Sequence, residues 1–189
     1  YDPFIEAMFN NSITYINRAI CYMRLKDYEN ALPDLTMAIE IEENPEYYSD
    51  RAYCYEKMGE YTNALKDLGK AIELTADYPY FYESRSRLLC KLKRYDEALD
   101  DCDKVIELGT DVFENRKAMY TRAWIFEKQE KVELAIKEYS ELIDMFPDEI
   151  SSFFSRGRLY MLQLEDYDNA LSDFNEAIRI DKEDALIYS

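Results

Sequence analysis

The chain has 189 residues, 48% of them apolar, with 40 acidic and 23 basic side chains and a formal net charge of -17. Four glycines and five prolines are too few for the turns of an all-β domain, and the charge excludes nucleic acid or an anionic membrane surface as the main ligand. The acid excess itself reads as a solvated exterior.

Apolar spacings of three, four, seven and eight residues predict a run of helices. The first covers 3–25 and the second 28–42. Asn44-Pro45 opens a helix over 45–58, followed by 61–74. Tyr78-Pro79 opens 79–92, followed by 95–108. Thr110 is expected to cap a longer helix over 111–129, lengthened by three extra residues, and 132–145 follows. Pro147-Asp148 marks the start of 149–163, and 167–181 completes the last pair. Residues 183–189 read as the start of a further helix, and 1–11, with Asp2-Pro3, as an entry helix or the remnant of an upstream unit.

One phrase recurs five times along these helices: Tyr28-x-x-Ala31-Leu32, Tyr61-x-x-Ala64-Leu65, Tyr95-x-x-Ala98-Leu99, Val132-x-x-Ala135-Ile136 and Tyr167-x-x-Ala170-Leu171, with alanines 33, 34, 37 and 35 residues apart. Twelve residues before the alanine stands another small residue, Ala19, Ala52, Ser86 or Ala123; in the fifth copy Gly157 stands thirteen before. Large side chains flank them four before (Tyr15, Tyr48, Tyr82, Met119, Phe153) and three after (Tyr22, Tyr55, Leu89, Phe126, Tyr160), and isoleucine always follows the alanine by eight (Ile39, Ile72, Ile106, Ile143, Ile178). Small residues on facing surfaces let two antiparallel helices approach, and the large ones fill the space around them. A period of this length is that of helix–turn–helix units that bury their faces by stacking. The pattern resembles the tetratricopeptide repeat family over about residues 12–181. The resemblance implies an all-α fold, a right-handed α-solenoid of five stacked hairpins in one domain, 1–189. The repeats fall at about 12–44, 45–78, 79–112, 113–148 and 149–182. It also implies a scaffold or adaptor that binds protein; a structural solenoid that self-associates or positions a fused domain is the alternative.

A second pattern rides on this frame. Arginine precedes the small residue every time (Arg18, Arg51, Arg85, Arg122, Arg156), and an acid follows the alanine by three (Asp34, Asp67, Asp101, Glu138, Asp173). A planar guanidinium suits a two-point bond to a carboxylate. These are expected to be structural ion pairs, formed within a repeat or with the repeat before; an arginine ladder for an anionic ligand is the alternative.

Nothing in the chain favours catalysis. It contains no histidine, which removes Ser–His and Cys–His nucleophile pairs and every histidine-bearing zinc site. There is no glycine-rich phosphate loop. The Asp100, Asp101 and Asp103 cluster lies mid-helix without the glycine of a calcium loop and reads as a solvated face. Cys21, Cys54, Cys90 and Cys102, spaced 33, 36 and 12 apart, fit no metal pattern and read as reduced, partly buried hydrophobes in a cytoplasmic setting. No cofactor and no metal are expected. No stretch of 18 apolar residues offers a membrane helix.

In the family resembled, the first helix of each repeat lines a concave groove that receives peptides. By that resemblance the groove here is lined by Tyr53 and Lys57, by Tyr80, Arg87 and Lys91, by Lys117, Tyr120, Trp124 and Lys128, and by Phe154 and Arg158. The first-helix groove positions of all five repeats, taken together, hold seven basic and four acidic side chains (Glu46, Glu56, Glu83 and Glu127). A mildly basic, aromatic groove is thus expected on an acidic body, suited to a peptide with acidic and apolar residues. A subclass of the family grips a C-terminal carboxylate through asparagine and Lys/Arg. Asn17 matches one element, but Asp50, Ser84, Thr121 and Ser155 stand at the equivalent places, so that clamp is not expected. Ile13, Ile16, Ile20 and Met23 form an apolar stripe in the first repeat, either packed on an upstream segment or a homodimer patch.

Overall fold

The computed structural model describes residues 11–109 and 112–187, without the side chains of 114 and 182–187. Among the described residues there are ten helices and no strand: α1 (Ser12–Arg24), α2 (Tyr28–Ile41), α3 (Pro45–Met58), α4 (Tyr61–Leu74), α5 (Pro79–Lys91), α6 (Tyr95–Leu108), α7 (Val112–Lys128), α8 (Val132–Met145), α9 (Ile150–Gln163) and α10 (Tyr167–Ile187). The expected entry helix over 3–10 and the Thr110 cap lie outside the described residues. The chain forms two compact units, one ending at Asp101 and one beginning at Cys102, so the division falls within α6.

In the first unit α1 packs on α2, α3 on α4, α2 on α3 and α4 on α5. Asn11 caps α1 by accepting from the Ile13 amide at 3.0 Å, and Asn44 caps α3 by accepting from the Glu46 amide at 2.9 Å. Pro45 and Pro79 occupy the first turns of α3 and α5, where no intrahelical amide is needed. The core is the repeat pattern made solid. Ala19, Ala31, Leu35 and Cys54 are buried in one cluster, and Ala52, Ala64, Leu68 and Leu88 in the next.

In the second unit α7 packs on α8, α8 on α9 and α9 on α10. Met119, Ala123, Ala135, Tyr139, Leu142 and Leu159 form its main cluster. A Cβ at Gly157 would lie 3.1 Å from both Asp173 Cβ and Phe174 Cε1, so only glycine lets α9 and α10 meet this closely. The last helix runs unbroken to Ile187. The residues read as the start of a further helix therefore continue this one, because nothing in Asp181-Lys182-Glu183-Asp184 terminates a helix.

Each hairpin turn holds one residue in the left-handed region, at Lys26, Gly59, Lys93, Glu130 and Glu165. The amides of the first four close their turns onto carbonyls three residues back, as Gly59 onto Glu56 at 3.1 Å, and in the fifth the Asp166 amide reaches the Tyr160 carbonyl at 2.9 Å.

Candidate functional site

The repeated arginines reach the acid of their own repeat. Arg18 Nε donates to Asp34 Oδ2 at 2.6 Å, Arg51 to Asp67 at 2.7 Å, Arg85 to Asp101 at 2.9 Å, Arg122 to Glu138 Oε2 at 3.0 Å and Arg156 to Asp173 at 2.9 Å. Each Nη2 adds a second bond to the same carboxylate. In three cases Nη1 reaches back to the second helix of the preceding repeat. Arg51 donates to Thr36 Oγ1 at 3.2 Å, Arg122 to Asp103 Oδ1 at 2.7 Å and Arg156 to Ser140 Oγ at 2.8 Å. Every one of these arginines thus ties the two helices of its own hairpin, and Arg51, Arg122 and Arg156 also fasten that hairpin to the one before. All five acids are buried, so the guanidiniums balance charges held out of water. Asp100 is exposed, but Asp101 is buried and Asp103 bonds Arg122. The expected solvated acidic face is corrected accordingly: Asp101 turns inward onto Arg85 because it shares the phase of the core positions.

On the first unit, Tyr53 and Tyr80 are exposed and Lys57 Nζ lies 4.9 Å from the Tyr53 ring centre. Arg87 and Lys91 are not free cations. Arg87 Nη2 donates to Glu56 Oε2 at 3.3 Å, and Lys91 Nζ bonds the other oxygen of the same carboxylate. Burial works to raise the Glu56 carboxyl, but the hydrogen bond from Lys91 and the charge of Arg87 outweigh it and hold the group below the ordinary carboxylate range. Cys54 and Cys102 are buried, Cys90 is partly so, and Cys21 is exposed, contrary to the expectation of partial burial. Burial pushes the Cys54 thiol up to about 12 and that of Cys90 to about 11, so both stay unreactive thiols.

On the second unit the same device recurs. Arg158 Nη2 donates to Glu127 Oε1 at 2.5 Å. Lys128 Nζ lies 3.7 Å from that oxygen and 5.3 Å from the Trp124 ring centre. The second oxygen, Glu127 Oε2, is buried without a hydrogen-bond partner. Beside it opens a cavity of about 560 Å³, whose lining includes Glu127, Lys128, Val132, Arg158 and Leu162. Lys117 Nζ sits 4.5 Å from the Phe113 ring centre, the Tyr120 and Ser155 hydroxyls share a 3.1 Å hydrogen bond, and Phe154 packs against Phe174 at 5.9 Å.

What the groove reading missed is that two of its acids, the buried Glu56 and the partly buried Glu127, hold its cations. In both cases the arginine lies 31 residues after the acid, a spacing visible in the sequence. The Ile stripe of α1 is also less free than expected: Ile13 is 57% exposed, whereas Ile16 and Met23 pack on the first core cluster and Ile20 is half-buried. Among the described residues no group of ligating side chains could hold a metal ion, and no helix is long and apolar enough to cross a membrane.

Three family models described as tetratricopeptide repeat match residues 12–45, 45–78 and 120–185. No curated protein matches the sequence. Solved structures share the fold at low identity. MamA from Desulfovibrio magneticus RS-1 is 20% identical over 91% of this chain and 96% of its own, with a TM-score of 0.78. YrrB, titled a TPR protein with an unusual peptide-binding site, is 20% identical over 95% and 92%, with a TM-score of 0.72. PilF of Pseudomonas aeruginosa is 17% identical over 89% and 75%, at 0.72.

Proposed function

The chain belongs to the tetratricopeptide repeat family, and we propose that it is a non-enzymatic scaffold that holds a peptide segment of a partner protein on the exposed faces of its first helices. The fold and the family support a protein-interaction role in general. The observation that carries the finer reading is the 560 Å³ cavity of the second unit. Its size falls within the roughly 300–1,000 Å³ of ligand pockets, and it sets Arg158 and Lys128, with Glu127 and Glu130 also in the lining, against Leu162, which is exposed. Cations beside an apolar wall match a segment that alternates acidic and apolar residues. Arg158 spends one nitrogen on Glu127 and keeps the others for a ligand carboxylate. On the first unit, Tyr53 and Tyr80 supply rigid aromatic surface of the kind that anchors interfaces, and Lys57 supplies a cation beside the Tyr53 ring. The self-associating alternative draws less support, because of the four stripe residues only Ile13 is exposed.

The test is a display selection of random peptides on the immobilised chain, followed by fluorescence anisotropy on the selected sequences. Acidic–apolar peptides should emerge. Arg158→Ala should weaken their binding about tenfold, with the melting temperature within a few degrees of wild type. Selection of basic peptides, or affinity indifferent to Arg158→Ala, would overturn the reading.

A further inference from the structure

Among the described residues, two carboxylates of the first unit have no partner, and they face a wall of aromatic rings. Glu46 and Asp50 stand one turn apart on α3 and, with Ser49, line a cavity of about 180 Å³. Its other side is Tyr78, Tyr80 and Phe81, at the start of α5. The three rings are inclined to one another like the walls of a cage: Tyr78 and Phe81 lie 4.9 Å apart at 72°, Tyr78 and Tyr80 6.2 Å apart at 48°, and Tyr80 and Phe81 6.2 Å apart at 66°. Phe81 is 1% exposed, whereas Tyr78 and Tyr80 are 46% and 45% exposed. The cavity therefore has a dry floor and an open rim. Among the described residues, neither the exposed Glu46 carboxylate nor the half-buried Asp50 carboxylate meets a cation or a hydrogen-bond donor. Burial, reinforced by the charge of Glu46, pushes the Asp50 carboxyl up to about 6. That is the response of a carboxylate held near another without a counter-ion.

We propose that this cavity is a recognition site for an alkylammonium cation, the side chain of a lysine or N-methylated lysine carried by a bound protein segment. Ring faces attract a cation through their quadrupole, most strongly where water is excluded. The two carboxylates supply the charge that a cage of rings alone lacks. At about 180 Å³ the space lies below the roughly 300 Å³ at which whole small-molecule pockets begin, which suits a side-chain head group. An anion is excluded by the paired acids, and a neutral apolar group would leave both carboxylates unpaired at its side. The source of the cation rests on the peptide-binding reading; the chemistry of the site does not. The segment so bound would present a cation to the Glu46–Tyr78 end of the first unit and acidic residues to cationic positions elsewhere.

The test uses single amino-acid amides, which are too short to engage the rest of the surface. Backbone amide spectra of the ¹⁵N-labelled chain would be titrated with Nα-acetyl-lysine methylamide, its Nε-trimethyl form and its neutral Nε-acetyl form. Both cations should shift the amides of residues 46–50, 78, 80 and 81 saturably, and the neutral form should not. Asp50→Asn and Tyr78→Ala should each weaken cation binding about fivefold or more, a change within the range of one cation–π or charge contact. A preference for the trimethyl form would show the rings dominant, and a preference for lysine would show the carboxylates dominant; either upholds the site. Equal shifts by the neutral form, shifts confined to other residues, or binding indifferent to Asp50→Asn would overturn it. Loss of the acidic-peptide binding proposed above would leave these titrations unchanged, so the two readings fail separately.

Discussion

Helix α3 carries two carboxylates, Asp50 and Glu56, that share a helix and a repeat, the first half-buried and the second buried, yet titrate in opposite directions. Glu56 sits between Lys91 and Arg87 and is held below the ordinary range, whereas Asp50 meets only Glu46 and is pushed up to about 6. Burial acts on both alike. A partner decides whether a buried acid is part of the frame or remains available to a ligand. The repeated aspartates are likewise clasped, each by an arginine of its own repeat, although at Asp101 burial outweighs Arg85 and raises the carboxyl.

The largest effect should follow from removing a clasp. Arg51→Ala leaves Asp67, buried and accepting two bonds from Arg51, without a counter-ion, and also frees Thr36. The expected cost is about 3–5 kcal/mol, read by urea unfolding. A loss below about 1 kcal/mol would mean that water replaces the arginine and that the partner is not what decides.

Glu56→Gln should cost less, about 2 kcal/mol, because Arg87 and Lys91 are half exposed and can hydrate. Its pH signature is the sharper readout. A group whose folded pKa lies below its unfolded value adds stability above the unfolded pKa and loses it as the pH falls through the folded one. The variant should therefore be less stable than wild type at pH 7.5, and the gap should narrow with acidification.

Asp50→Asn should show the reverse sign. A folded pKa of about 6 against an ordinary 3.8 means that the folded chain binds the proton more tightly than the unfolded one. Wild type gains stability as the pH falls from above 6 toward 4, and the neutral variant should be more stable by about 1–2 kcal/mol at pH 7.5, with no advantage near pH 4. Thermal melts at the two pH values check both substitutions. A residue whose removal stabilises the fold while weakening a ligand is held for the ligand.

Much of this was legible from the residues. The helix pairs follow from a period written five times, and Pro45 and Pro79 mark two starts because their missing amides are harmless there. The arginine–acid pairs were legible as pairs but not as partners: Arg51 lies within reach of second helices on two sides, and only the packed backbone decides that Asp67 takes Nε and Nη2 while Thr36 takes Nη1. Glu56 and Asp50 were opaque for a related reason. Their surroundings come from Arg87 and Lys91 or from Tyr78 to Phe81, about one repeat away, so the helix face alone could not tell an acid with a partner from one without. The end of α10 was misjudged because the repeat period suggested a stop that no residue there enforces.

The smallest expected effect comes from supplying a partner where one is missing. The positions that receive the backward-reaching Nη1 are Thr36, Asp103 and Ser140, each five residues after its repeat's anchor alanine. For Arg85 the equivalent residue is Gly69, and Nη1 of Arg85 has no hydrogen bond there. The Arg85 side chain is accordingly 29% exposed, against 17% for Arg51, 20% for Arg122 and 18% for Arg156. A Cβ at Gly69 would meet nothing within 4 Å, so a side chain fits without strain. Gly69→Ser should stabilise by about 1 kcal/mol, part from helix propensity in the middle of α4 and part from a new bond to Arg85. Gly69→Ala supplies the propensity gain without the hydroxyl. A double-mutant cycle of Gly69→Ser with Arg85→Lys isolates the bond, because lysine cannot clasp Asp101 and reach back at once. Coupling of about 0.5–1 kcal/mol would show the third nitrogen gaining a partner; zero coupling would mean that water already satisfies it, and that partnership matters only for groups buried as deeply as Asp67.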